Sequence, residues 1–195
     1  MRSLTVRPRA LTFYRKETMQ SIILTGYMCV GKTTVGRALA KRLHCTFYDL
    51  DWYIEERYHT QVSRIFAEEG EAAFRDKERR MLHEVAAFEN VVLSCGGGTP
   101  CFFDNMDYIN QQGETVYLKC TTDVLYQHLK MGHTVRPLLL DKTPEEVRQF
   151  IEQQLTEREA YYKQAKHTID VSLMDNYEKI KITVKAIERE LGLGK

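Results

Sequence analysis

The sequence predicts an α/β sandwich of three layers, α/β/α, in which a five-stranded parallel sheet carries helices on both faces. Short apolar runs alternate with segments of helical period along most of the 195 residues. The first run passes through a glycine-bearing loop straight into a helical pattern, the order of strand, turn and crossover helix. Length and a 43% hydrophobic content suit one domain with a substantial core, and no internal repeat or interdomain linker interrupts it.

Residues 21–40 form the first unit and organise the rest. Ile22, Ile23 and Leu24 make the strand, Gly26 is followed at a distance by Gly31-Lys32-Thr33, and Val35, Leu39 and Leu43 continue at helical spacing over about residues 32–43. Gly26 lets the chain leave the strand sharply, and Gly31 lets main-chain amides crowd an anion without a Cβ in the way. The helix then adds its own unbonded N–H groups. The loop, with Gly26, Cys29, Val30, Gly31, Lys32, Thr33 and Thr34, is expected to hold ATP or another nucleoside triphosphate. Lys32 serves as a point charge on the β- and γ-phosphates, and the Thr33 hydroxyl is placed to ligate Mg²⁺.

The second strand is short and ends in D-L-D, placing Asp49 and Asp51 at the carboxyl end of the sheet, the ligand-binding edge of an α/β fold. One carboxylate there can hold the water shell of Mg²⁺ and the other can accept a proton from a substrate hydroxyl. A brief helix over 52–58 follows, then two helices divided near Gly70. In the latter of these Phe74, Met81, Leu82 and Val85 form an apolar stripe, and Arg75 and Glu78, three apart on one flank, can pair. By composition alone Arg75 reads as solvated surface. The third strand, 91–94, runs into Gly96-Gly97-Gly98, whose backbone-entropy cost implies close passage against a ligand or another backbone.

A helix is expected over 102–112, ending at Gly113, then a fourth strand over 115–118 and a helix over 123–129. Residues 131–146 carry Gly132, Pro137 and Pro144 around Arg136, the composition of a segment that closes over a site, with an ordinary surface connection as the alternative. A long helix over 145–166, a fifth strand over 168–171 and a last helix over 176–191 complete the chain.

Net charge is +1, but the basic stretch over residues 2–18 carries +4 and leaves the body at −3, which offers nothing to nucleic acid or an anionic membrane. Five cysteines follow no zinc or C-x-x-C spacing and read as thiols in a reducing compartment. No apolar run approaches the ~20 residues a membrane span needs. Residues 1–18 form a basic extension with three readings: upstream of a true start at Met19, a loosely packed arm, or an organellar targeting segment. The domain proper is 19–195.

Taken together, G-Y-M-C-V-G-K-T-T-V-G at 26–36, D-L-D at 49–51, I-F-A-E-E-G-E-A-A-F-R-D-K-E at 65–78, the triple glycine at 96–98, T-V-R-P-L-L at 134–139 and R-E-A-Y-Y at 158–162 resemble the shikimate kinases, a branch of the P-loop nucleoside monophosphate kinase-like fold. The phosphate loop alone is shared by many kinases; F-R-x-x-E, the triple glycine and V-R-P-L-L together are far more specific. The resemblance implies a cytoplasmic monomer that phosphorylates the 3-hydroxyl of shikimate with ATP and Mg²⁺, on the route to chorismate and aromatic amino acids. It implies a substrate-binding region over about 51–82 and a mobile lid over about 130–145. It assigns Lys32 and the loop amides to phosphate, Thr33 to Mg²⁺, and Asp49 to the metal's water shell. Asp51 takes the reacting proton and binds shikimate hydroxyls, Arg75 and Arg158 hold the substrate carboxylate, Gly97 offers a backbone contact, and Arg136 reaches phosphates and substrate from the lid.

Three departures from the family pattern stand out. Cys29 replaces a common loop glycine and must tolerate that backbone; Leu129 stands where relatives often carry an adenine-stacking arginine, with His128 and Lys130 as neighbours; and S-L-M-D-N at 172–176 lacks another such arginine. The rival readings are gluconate kinase or another small-metabolite kinase of this fold, and an ATP-binding module without turnover. The first would not need Arg75 and Arg158 to converge with Asp51, and the second would tolerate loss of Lys32, Thr33, Asp49 or Asp51.

Overall fold

In a computed structural model, which describes residues 20–131 and 142–193, the five strands form one parallel sheet in the order β2-β3-β1-β4-β5. They are β1 (Ser21–Thr25), β2 (Thr46–Asp49), β3 (Val91–Ser94), β4 (Gly113–Lys119) and β5 (His167–Asp170). The helices are α1 (Lys32–Leu43), α2 (Leu50–Tyr58), α3 (Val62–Ala86), α4 (Asn105–Gln112), α5 (Thr122–Met131), α6 (Pro144–Tyr162) and α7 (Tyr177–Glu190). The sandwich the sequence predicts is the one observed.

Alternation along β1 divides the core. Ile22 and Leu24 join a cluster with Val35 and Leu39 of α1, Tyr162 of α6 and Ile187 of α7, whereas Ile23 faces Ile54 of α2, Leu82 of α3 and Ile109 of α4. All are essentially excluded from solvent, each contributing about 1.5–3 kcal/mol on burial. Among the described residues no helix is long and apolar enough to cross a membrane.

The order brings β1 between β3 and β4, with Leu24 opposite Ser94 and Thr25 opposite Tyr117. The loops leaving β1 and β3 therefore run side by side at the carboxyl edge, where ligands of such sheets bind.

Several boundaries differ from expectation. α4 begins at Asn105, because a 3-10 turn at Thr99–Cys101, with Pro100 in it, and a left-handed Phe103 (φ 52) occupy the preceding residues. Gly113 opens β4 in extended conformation, where a Cβ would stand 2.2 Å from the Ser21 carbonyl oxygen. α6 stops at Tyr162, because the following turn is tied to β4 and α4: the Lys166 N–H donates to Thr115 Oγ1 (2.9 Å) and the Asn110 amide to the Gln164 carbonyl (2.9 Å). The division near Gly70 is real; α3 is interrupted there by φ 83, ψ 173. Residues 1–18, Met19, Arg136 and most of the expected lid lie outside the described residues.

Candidate active site

The phosphate loop has the backbone its glycines predict. Gly26 and Gly31 take φ 132 and φ 99, and between them Cys29 adopts φ 62, a left-handed conformation that an ordinary side chain enters at a cost. Gly31 caps α1 with no side-chain hydrogen bond, and the first turn of α1 contains no acidic residue. The positive end of the helix is left to an external anion. Val30 is buried, Thr34 is exposed, and Lys32 is buried with its ammonium donating to the carbonyls of Gly26 (2.8 Å) and Tyr27 (2.9 Å). Burial lowers the Lys32 pKa, opposed chiefly by Asp51 and Asp49.

The two aspartates make different contacts, set by their positions. Asp49 is the last residue of β2 and the N-cap of α2: Oδ1 accepts from the Asp51 N–H (3.2 Å) and Oδ2 from the Thr33 hydroxyl (2.7 Å). Asp51 belongs to the first turn of α2 and not to the strand end. Burial first, then Asp49 and Glu78, push its carboxyl up to about 6, with Lys32 pulling the other way. Thr33 and Asp49 present hard oxygen donors side by side, and among the described residues no group of three acidic, His or Cys side chains is arranged to hold a metal ion. That donor set fits Mg²⁺, which keeps several waters and uses few protein ligands.

Each of the three consecutive glycines makes room for a different group. A Cβ on Gly96 would stand 2.9 Å from Thr99 Oγ1, 3.0 Å from Asp51 Oδ1 and 3.1 Å from Glu78 Oε1. One on Gly97 would meet the Met28 backbone nitrogen of the phosphate loop at 3.0 Å, and one on Gly98 would meet the Arg75 guanidinium at 2.8 Å. Side chains here would expel the acid, the loop or the arginine.

Arg75 is buried, contrary to its bland reading as surface. Nη1 donates to Glu78 (2.8 Å) and Nη2 to Glu71 (3.0 Å), and the guanidinium lies 4.0 Å over the Phe102 ring. Glu78, fully buried, also accepts from the Thr99 hydroxyl (2.6 Å), so it orients Arg75 and borders Asp51 at once. A depression of about 530 Å³ opens beside Arg75, lined by Glu71, Ala72, Asp76, Phe102 and Phe103. Arg158, from α6, is half-buried; its guanidinium lies 5.9 Å from the Tyr27 ring and, with Arg75, acts on the Cys101 thiol, which burial nonetheless pushes up to about 11. The two arginines thus flank the 3-10 turn after the triple glycine.

Other residues of the site are legible only in three dimensions. The Tyr162 hydroxyl donates to the Gly97 carbonyl (2.5 Å), holding the triple glycine against α6. Tyr27 is buried in the loop with a hydroxyl that has no hydrogen-bond partner among the described residues. His128 faces the phosphate loop, Leu129 packs against the core, and the Met174 side chain lies on Gly31. None of the five cysteines is joined in a disulfide.

The family model described as Shikimate kinase matches residues 28–188. The chain is 47% identical over 175 residues to a shikimate kinase of Bacteroides thetaiotaomicron, spanning 90% of this chain and 100% of that one. The crystal structure of the shikimate kinase from that organism aligns with TM-score 0.86, covering 89% of this chain and 98% of the other. A shikimate kinase from Acinetobacter baumannii, solved in complex with shikimate, aligns with TM-score 0.77 at 32% identity, covering 90% and 95%. A gluconokinase from Sinorhizobium meliloti shares the fold alone, at 16% identity and TM-score 0.53 over 88% and 95%.

Proposed function

The chain belongs to the shikimate kinase family, and on that premise we propose that it transfers the γ-phosphoryl group of ATP to the 3-hydroxyl of shikimate, yielding shikimate 3-phosphate and ADP. The observation that carries this reading is the triple glycine, where the phosphate loop, Asp51 and Arg75 pack against three successive residues. Donor cradle, proton acceptor and carboxylate clamp are thereby brought to one edge of the sheet.

The loop amides, the N-terminus of α1 and Lys32 bind the phosphates, with Cys29, Val30 and Thr34 shaping the loop and Arg136 adding a further cation. Thr33 directly and Asp49 through water would hold Mg²⁺, which would offset phosphate charge. Arg75 and Arg158 grip the shikimate carboxylate, and the backbone at Gly97 contacts the ring substituents. Asp51 accepts the proton of the 3-hydroxyl as its oxygen bonds to the γ-phosphorus and the bond from that phosphorus to the ADP oxygen breaks. An acid held near 6 is ionised at neutral pH yet basic enough to receive that proton. Glu78 keeps Arg75 aimed, so the clamp is rigid before substrate arrives. The absence of disulfides among the five cysteines and the ATP chemistry favour the cytoplasm, and we take the working unit to be a monomer.

A coupled ADP-release assay with shikimate, gluconate, adenylate and cytidylate tests the reading. Turnover with shikimate alone is expected, whereas activity confined to a nucleotide or to gluconate would overturn it.

A further inference from the structure

His128, on α5, is 9% exposed and makes two hydrogen bonds to backbone in different parts of the nucleotide side. Nδ1 lies 3.0 Å from the Cys29 carbonyl oxygen, and Nε2 accepts from the Met174 N–H at 2.9 Å. A carbonyl can only accept and an amide N–H can only donate, so the ring is the neutral tautomer with its proton on Nδ1. Burial holds the ring's pKa below its ordinary value, against weaker opposing effects of the Cys29 carbonyl and Asp175.

Both partners are places where the backbone needs outside support. Cys29 holds φ 62 without the freedom of glycine. Met174 lies in the irregular connection between β5 and α7, and its Cε would stand 2.1 Å from a Cβ on Gly31. The methionine therefore sits on the turn where the phosphate loop becomes α1.

We propose that His128 is a positioning residue for the nucleotide, holding the Cys29 peptide in its left-handed conformation and clamping Met174 over Gly31 so that loop and neighbouring wall meet ATP as one preformed unit. The proposal deepens the shikimate kinase reading and takes the nucleotide's identity from it. A loop that must be ordered on binding loses part of its interaction energy to that ordering, so removing the brace weakens nucleotide affinity. Neither bond involves Asp51, Arg75 or Arg158, so the acceptor side is spared.

The test uses the full chain with His128→Ala, His128→Asn and His128→Gln. An asparagine amide can replace the donor to Cys29, a glutamine carbonyl can replace the acceptor for Met174, and alanine replaces neither. In H128A, which loses both hydrogen bonds, the KM for ATP is expected to rise at least about tenfold, with the KM for shikimate changed by less than about twofold. MgADP affinity, measured by calorimetry without shikimate, is expected to fall in parallel, and H128N or H128Q to recover part of it. Because that titration needs no acceptor, the two readings fail separately: weakened MgADP binding supports the role of His128 whichever metabolite is phosphorylated. MgADP affinity in H128A equal to wild type, or both KM values rising together with a lowered Tm, would overturn the proposal. If H128A does not fold, wild-type MgADP affinity in both H128N and H128Q overturns it equally.

Discussion

Asp51, buried beside Asp49 and Glu78, carries a cost in stability at neutral pH. Its folded pKa, about 6, lies above the 3.8 of a free side chain, so the native protein binds the extra proton between those values. The stability contributed by the neutral carboxyl is complete below about pH 4 and is lost as pH rises through about 6. In urea unfolding with chelator present, Asp51→Asn should match wild type near pH 4 and be more stable by about 2–3 kcal/mol at pH 7.5. The same variant should retain MgADP binding and lose most shikimate phosphorylation. Unchanged turnover would remove Asp51 from the proton-transfer step. D-L-D beside a phosphate loop made both carboxylates visible in the sequence and the family resemblance implied their roles, but the contacts that set them apart were not visible. One oxygen of Asp49 is engaged by Thr33 and the other caps α2, leaving Asp51 beside Glu78, and that follows only from the packing of α2 against α3.

At the scale of elements, the glycines separate steric from backbone constraint. Gly98 has an ordinary φ of −91, and the obstacle to a side chain is the Arg75 guanidinium. Gly70 has open space around its missing Cβ, and the obstacle there is φ 83. Gly98→Ala should therefore raise the KM for shikimate about tenfold by pushing Arg75 aside, with the KM for ATP little changed, at a stability cost of about 1–3 kcal/mol. Gly70→Ala should cost about 1–2 kcal/mol of stability and leave both KM values near wild type. Steady-state kinetics with each substrate varied, alongside thermal unfolding, distinguishes them; a shikimate effect as large in Gly70→Ala would refute the steric account. The sequence marks Gly96 to Gly98 as a place of close approach, because the entropy cost of three glycines demands a reason. Which group approaches each one depends on residues 28, 51, 75, 78 and 99.

For the whole molecule, the sheet separates two apolar clusters, one toward α1 and α7 and one toward α2 and α3. Ile187 and Ile54, both fully buried, lie in different clusters. Ile187→Val and Ile54→Val should each cost about 0.5–1.5 kcal/mol, and the double variant should be additive within about 0.5 kcal/mol in urea unfolding. A larger coupling would mean the cores communicate through the sheet. The five strands, their helices and the phosphate loop were readable because each is encoded over a few adjacent residues, as periodicity or as a contiguous motif. The remaining family motifs pointed to shikimate as the acceptor in the same way. Tertiary structure alone decided that Arg75 is buried between Glu71 and Glu78, that Tyr162 holds Gly97, and that His128 reaches across to Cys29. Periodicity states which face of an element is apolar but not which distant residue will meet it, and that choice is made only when the sheet order sets the loops after β1 and β3 side by side.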